Sequence, residues 1–440
     1  MRSWHRRAVA LLLPLFLALT ACAATARAER SVHYVAPNGR DLGPGTQERP
    51  WKTVQHAVDR ARPGDTILLQ SGVYVGPIRV VETGAPDAWI ALKAAPGAKP
   101  VIAAPLNNEP AMWFNPGRCA PPEPCKPMYW RVEGLEIRGG YYVVKFESGK
   151  VELLRNNLHG SSNDIVKLVA SAHDVAIKGN EIHHPQAAKN ANAQGIDIVG
   201  ADRTYVGYNY VHDIPSLGMY AKGTAHNTVF EFNRVENTYD RAIMLGQRTG
   251  GEFMKPGDPF ESTDGVIRNN VIRNSRHACL AVASSKRAKI YNNTCINPAT
   301  EVHGAIFISN ESEREQPNED IEIRDNVIVM SSDRPVVKLG PKALADYSRL
   351  RMEGNVYWHD HGKPVMFMSE DHQLYGATLD KWRSRIGVDR NSSIGLANAA
   401  QGKLRAGAPA KMLAPDALCK ELPASAEAAG CGRRTARNGT

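Results

Sequence analysis

Much that would mark a compact globular enzyme is scarce in this sequence. Aromatic residues are only 7% of the 440, which suits a narrow interior filled by Val, Ile, Leu and Ala. The run AVALLLPLFLAL at residues 8–19 is too short for a comfortable transmembrane span. No C-x-x-C or Cys/His spacing indicates structural zinc. No glycine-rich phosphate loop follows a strand and opens a helix. No basic run or aromatic-basic platform is present, so nucleic acid is not an expected partner. A helical solenoid is excluded as well, because the apolar residues alternate in short bursts, as in strands.

What is present is a recurring asparagine. The pattern apolar-x-x-Asn-x-apolar occurs in LLRNNL (Asn156), IKGNEI (Asn180), VGYNYV (Asn209), FEFNRV (Asn233), IRNNVI (Asn270), IYNNTC (Asn293), IRDNVI (Asn326) and MEGNVY (Asn355). VEGLEI is a first rung with Leu135 in the Asn slot. The spacers are 21, 24, 29, 24, 37, 23, 33 and 29 residues. A constant motif on variable spacers means equal structural turns carrying unequal loops. Asn tolerates the left-handed conformation where a chain bends, and its amide can bond the Asn above and below. The pattern predicts an all-β, right-handed parallel β-helix with an Asn ladder inside one corner. Nine rungs at ~4.8 Å each give a rod of roughly 40 Å.

The first 22 residues read as an export signal. Arg2, Arg6 and Arg7 precede the apolar run, and Leu19-Thr20-Ala21-Cys22 resembles a bacterial lipobox. Lipidation of Cys22 would tether the protein in the periplasm or to the outer membrane. Cleavage after Ala26-Arg27-Ala28 would instead release it. Seven cysteines is an odd number for an exported chain. Without Cys22 the rest form three local pairs, Cys119/Cys125, Cys279/Cys295 and Cys419/Cys431, as candidate disulfides. Cys279 and Cys295 fall on different strands, so buried thiols are the alternative. Losing residues 1–21 removes three arginines and no acids, taking the formal charge from +9 to about +6. Such a balance favours polyanions, and outside the cell these are uronate polysaccharides.

Residues 33–76 begin with a short strand, HYVA. An amphipathic helix over 51–62 follows, with Trp51, Val54, Val58 and Ala61 on one face. It is placed to cap the open end of the solenoid, and TILLQSGVY then starts the coils. This entry segment, YVAPNGRD…PGT…PWKTVQHAVDRARPGDTILLQSGVY, closely resembles that of secreted right-handed β-helix proteins. Among them are pectate-lyase-like, alginate-lyase-like and chondroitinase-B-like polysaccharide lyases. The predicted organisation is a signal over 1–22, a β-helix over 31–370 with regular coils from about 129 to 360, and a C-terminal short helix (379–393) with an Ala-rich tail to 440. Long insertions are expected at 184–194, 247–264, 298–303 and 311–319.

Strand alternation tells which side chains leave the core. With Val144/Phe146, Val166/Leu168, Ile196/Ile198, Met219/Ala221 and Ile243/Leu245 inward, Lys145, Lys167, Asp197, Tyr220, Lys222 and Arg241 point outward on one face. Flanking turns add Asn163, Asp164, Asn192, Gln194, His212, Asp213 and Asp240. The expected chemistry is β-elimination on an acidic polysaccharide by a carbon–oxygen lyase. Lys167 is the predicted base, its pKa lowered by Lys145, and Lys222 or Arg241 the neutraliser of the substrate carboxylate. Lys145, Asn163, Asp197 and Tyr220 would bind substrate. Asp164 and Asp197 are candidate ligands for Ca2+, the one cofactor considered, although the dense Asp and Glu clusters of the related calcium sites are missing. Glycoside hydrolysis would need a carboxylate pair such as Asp197 with Asp164 or Asp240. His183-His184 and His359/His361 read as surface histidines. The alternatives are a C5-epimerase and a non-catalytic glycan-binding envelope lipoprotein. A monomer is expected.

Overall fold

The structure is a computed structural model that describes residues 31–117, 125–189 and 191–395. Three twelve-stranded sheets run along it, with a three-stranded one beside them. Each coil gives one short strand to each long sheet. Val151–Leu154 lies in the first, Asn157–His159 in the second and Val166–Leu168 in the third, and Val175–Lys178 then returns to pair with Val151–Leu154. Among the described residues the long-sheet pairings are parallel except where Phe367–Ser369 meets Leu374–Ala377 near the C-terminal end. This is the expected parallel β-helix, wound right-handed as such crossovers are.

Alternation on each strand fills the interior with stacked aliphatic side chains. Val151, Leu153, Leu158, Val166 and Leu168 of one coil are fully buried, and so are Ile177, Ile182, Ile196 and Ile198 of the next. Each such side chain contributes ~1.5–3 kcal/mol by leaving water. Aromatic rings stack the same way where they occur, as with Phe114 on Phe146 at 5.2 Å.

The asparagines are bonded one to the next. Asn156 donates from its backbone N–H and its Nδ2 to Asn180 Oδ1, at 2.9 and 3.1 Å. Asn180 does the same to Asn209, and the series continues through Asn233, Asn270, Asn293 and Asn326 to Asn355. Each Nδ2 also donates to a carbonyl of the preceding coil, such as Val132 O for Asn156. Leu135 fits its rung because only its backbone N–H is needed, and it donates to Asn156 Oδ1 at 3.0 Å. One expectation is corrected. The left-handed residue at each corner is the one before the Asn: Gly134, Arg155, Gly179, Tyr208, Phe232, Asn269, Asn292, Asp325 and Gly354 all have φ between 52° and 73°. The ladder Asn is held by its inward amide instead, so burial and hydrogen bonding select it, not turn propensity.

Both ends are closed. The N-terminal helix spans Val54–Val58, shorter than expected, with Thr53 as N-cap. It packs on the first strands, Val32–Val35, Thr66–Leu69 and Ile78–Val80, and Trp51, Val54, Val58 and Ala61 are all buried. The C-terminal helix Leu379–Ile386 buries Trp382, whose Nε1 donates to Asp389 at 2.9 Å. Asp389 also accepts from Tyr357 Oη and Asn355 Nδ2, which terminates the ladder. Cys279 and Cys295 are joined, so the thiol alternative falls away. Cys125 is disulfide-bonded, while Cys22, Cys119, Cys419 and Cys431 lie outside the described residues. No helix among the described residues is long and apolar enough to cross a membrane.

Candidate active-site cleft

The third sheet sets outward residues of successive coils directly over one another. Lys145 pairs with Lys167, Lys167 with Asp197, and Asp197 with Tyr220, while Lys222 pairs with Val199 one pleat along. The strands are those anticipated from alternation. The side chains nevertheless do not stand in water: Asp197 and Tyr220 are each only 1% exposed.

Electrostatics explain that burial. The Lys167 ammonium bonds Asp197 Oδ2 and lies 3.6 Å from Asp164 Oδ2. Asp164, at the turn before the Lys167 strand, is fully buried and accepts the Gln194 backbone N–H at 3.0 Å. Asp164 Oδ2 and Asp197 Oδ1 are buried without a hydrogen-bond partner, a situation that a proton on Asp164 relieves, because it removes one buried charge and supplies a donor. Burial, and then the neighbouring Asp197, push the Asp164 pKa far above the usual carboxyl range. The Tyr220 hydroxyl stays protonated, because burial and then the neighbouring Asp197 and Asp164 raise its pKa. For Lys167, burial alone would lower the pKa, but Asp197 and Asp164 outweigh it and the net shift is upward. Lys167 is therefore a fixed ammonium. The expected depression of Lys167 by Lys145 does not arise, and Lys145 is itself paired with Glu147 at 2.5 Å.

Around this floor lies a cleft of about 1500 Å³. Lys145, Lys167, Asp197, Tyr220 and Lys222 line it, with Tyr142 opposite, and the segment Arg248–Pro256 forms one wall. Among the described residues, seven lysines and arginines line the cleft against four carboxylates. Tyr142 is pushed up to about 12 by burial and stays a neutral phenol. Lys255, on that wall, escaped the sequence reading. Its backbone N–H donates to Thr224 Oγ1, two residues beyond Lys222, at 3.0 Å. Burial lowers its pKa, against weak opposition from Asp202 and Asp258. It sits in an insertion without strand periodicity, so nothing local flagged it.

Other anticipated residues stand apart. Arg241 is 7% exposed and does not line the cleft. Its Nη2 donates to both Glu311 oxygens, at 2.7 and 2.8 Å, and its guanidinium lies over Phe307. Asn163 bonds Tyr141 and its own Asp164 N–H, holding the turn. His212 and Asp213 belong to Tyr210–Ile214, a strand of the second sheet, and not to this face. Asp164 and Asp197 are both buried against the one Lys167 ammonium, so neither stands open to a glycosidic bond as a glycosidase acid pair must.

Comparison with known proteins agrees with this architecture. The family described as "Pel9A-like, right handed beta helix region" matches residues 33–196, and "Right handed beta helix region" matches 142–332. The YwoF protein of Bacillus subtilis is 39% identical over 51 residues, 12% of this chain and 11% of its own. The pectate lyase PEL9 of Emericella nidulans is 37% identical over 71 residues, 16% of this chain and 17% of its own. The chain thus spans less than a fifth of these relatives. The GH136 lacto-N-biosidase of Eubacterium ramulus superposes with TM-score 0.55 at 15% identity, over 83% of this chain and 68% of that one. A mannuronic acid specific polysaccharide family 6 lyase from human gut microbiota does so with TM-score 0.52 at 11% identity, over 85% and 93%. The parallel coils and the two matches, which between them run from residue 33 to 332, agree on a right-handed parallel β-helix, and over its first half the chain resembles the Pel9A-like β-helix region.

Proposed function

We propose that the protein binds an acidic, uronate-containing polysaccharide in this cleft and cleaves it by β-elimination. The observation that carries the reading is the contrast between two lysines of one cleft. Lys167 is held as an ammonium by two carboxyls, while Lys255 is driven toward the free amine by burial. Groups whose environments push their pKa values apart mark the division of acid–base labour.

In this reading the substrate carboxylate lies against Lys167 and Lys222. Lys255 takes the proton α to that carboxylate, and the electron pair moves into the carboxylate, where the two ammonium groups stabilise it. The C4–O bond then breaks, and the leaving oxygen takes a proton from the Tyr142 phenol. The roles differ from the sequence expectation: Lys167 becomes the neutraliser and Lys255 the base. Calcium plays no part, because the Asp164–Asp197 pair is already compensated by Lys167 and offers a small fraction of the six to eight oxygens Ca2+ takes.

The test is incubation with alginate, pectate and glycosaminoglycans, with and without calcium, following ultraviolet absorbance of the unsaturated uronate. Absence of product from every uronate polymer would overturn it. Epimerisation without chain cleavage would point to a C5-epimerase, and binding without either reaction to a glycan-binding envelope protein. Export and lipidation at Cys22 belong to the same proposal, and radiolabelled-lipid incorporation that persists in Cys22→Ser would contradict the anchor.

A further inference from the structure

The second sheet carries a histidine column. His159 pairs with His183, and His183 with His212, on three successive coils. Their rings stack nearly parallel, at 5.0 and 4.9 Å between centroids. Glu181 lies on the same strand as His183, two residues earlier and on the same outward face. None of these four residues lines the cleft.

We propose that Glu181, His183 and His212 form a binding site for a divalent transition-metal ion, Zn2+ or an ion of similar preference. One ligand atom from each residue lies within 4.8 Å of the other two. Ligands ~2.1 Å from Zn2+ stand roughly 3.4 Å apart at tetrahedral corners, so side-chain rotation of about 1.4 Å or less closes the set. Two imidazoles with one carboxylate suit Zn2+, Ni2+ or Cu2+ over the oxygen-seeking Ca2+ and Mg2+.

The surrounding hydrogen bonds already orient both rings. His183 Nε2 is 2.8 Å from Asn157 Oδ1, and His212 Nδ1 is 2.7 Å from Asp213 Oδ2. Each of these oxygens accepts a ring N–H, which leaves the opposite nitrogen with its lone pair for a metal. That nitrogen of His212, Nε2, is 3.4 Å from Glu181 Oε1. That of His183, Nδ1, faces His184 Nδ1 at 2.8 Å. His184 follows the strand in the left-handed region, with φ 47°, and is exposed; its Nε2 lies 3.7 Å from Asp213 Oδ2, which can hold it when His183 Nδ1 turns to a metal. The ion would then join two neighbouring coils at strands Glu181–His183 and Tyr210–Ile214.

The experiment is zinc titration of the untagged mature protein by calorimetry, with metal content measured after dialysis, and with Ca2+ as a control. The expected result is one Zn2+ per chain, a raised Tm on loading and no comparable Ca2+ binding. His183→Gln and His212→Gln should each weaken Zn2+ by at least about 100-fold, while His184→Gln retains it. Unchanged metal-free circular dichroism in the variants separates lost ligation from misfolding, and Glu181→Gln supplies a further variant should one of them fail to fold. No stoichiometric binding by the wild type, binding retained in both histidine variants, or loss in His184→Gln with retention in His183→Gln would overturn the assignment.

Discussion

The Lys167 ammonium bonds the Asp197 carboxylate that the next coil sets beside it. With both side chains largely out of water, removing one partner strands the other's charge. Lys167→Met should lower stability by about 3–5 kcal/mol, and adding Asp197→Asn should recover most of that loss. Urea denaturation measures both. A single variant as stable as the wild type would show that the pair does not hold the floor.

Asp164 gives a pH signature. Its folded-state pKa is raised, so its contribution to stability is full below the unfolded pKa of ~3.9 and is lost as pH rises toward the folded value. Asn keeps the bond from the Gln194 N–H and puts an N–H donor beside Asp197 without a buried charge. Asp164→Asn should therefore gain on the wild type progressively from pH 4 to pH 8. Thermal unfolding across that range would show a widening gap, and a narrowing one would contradict the raised Asp164 pKa.

The ladder predicts graded costs. Asn156→Leu strands two buried backbone groups, Leu135 N–H and Val132 O. Asn233→Leu strands Asn209 N–H and Val206 O, and also removes a partner of Asn209 Nδ2. At ~1–3 kcal/mol per unsatisfied group, both should be strongly destabilising, with Asn233→Leu the worse by about 1 kcal/mol or more. Denaturant midpoints of the two variants decide it.

Kinetics separate cleft from scaffold. If the proposed chemistry holds, Lys255→Met should cut kcat by ~100-fold or more while KM changes little. The wild-type rate should rise with pH toward a Lys255 pKa below the ordinary ~10.4. Lys222→Met should weaken binding as well as turnover. Arg241→Leu, by contrast, should lower Tm with kcat/KM nearly unchanged. A Lys255 variant with wild-type kcat would remove it as the base.

Legibility followed the range of the interactions. Alternation and the recurring Asn are local patterns, so the parallel coils, their register and the column Lys145–Lys167–Asp197–Tyr220 could be read directly. Charge states could not. Lys145 and Lys167 are indeed neighbours, but each is governed by a carboxylate, Glu147 or Asp197, that the sequence reading did not weigh against it. Arg241 stands apart from the cleft because its partner Glu311 comes from an insertion 70 residues away, which no local pattern reveals. His212 was assigned to the wrong face because the strand after the Asn corner was taken for a flanking turn. The corner itself was misplaced by one residue, since the Asn preference for left-handed backbone is real but weaker than a buried amide's need for partners.

Spacers of 37 and 23 residues flank Asn270, yet the Nδ2–Oδ1 contacts on its two sides are 3.0 and 2.9 Å. Axial position is thus independent of how much chain is threaded between rungs. Lengthening or exchanging the 247–264 segment would recut the shape that meets a polymer while every charge beneath stays at its fixed height. The rod behaves as a gauge with interchangeable jaws, and changes of specificity in such a protein should accumulate in the jaws, while the graduations persist.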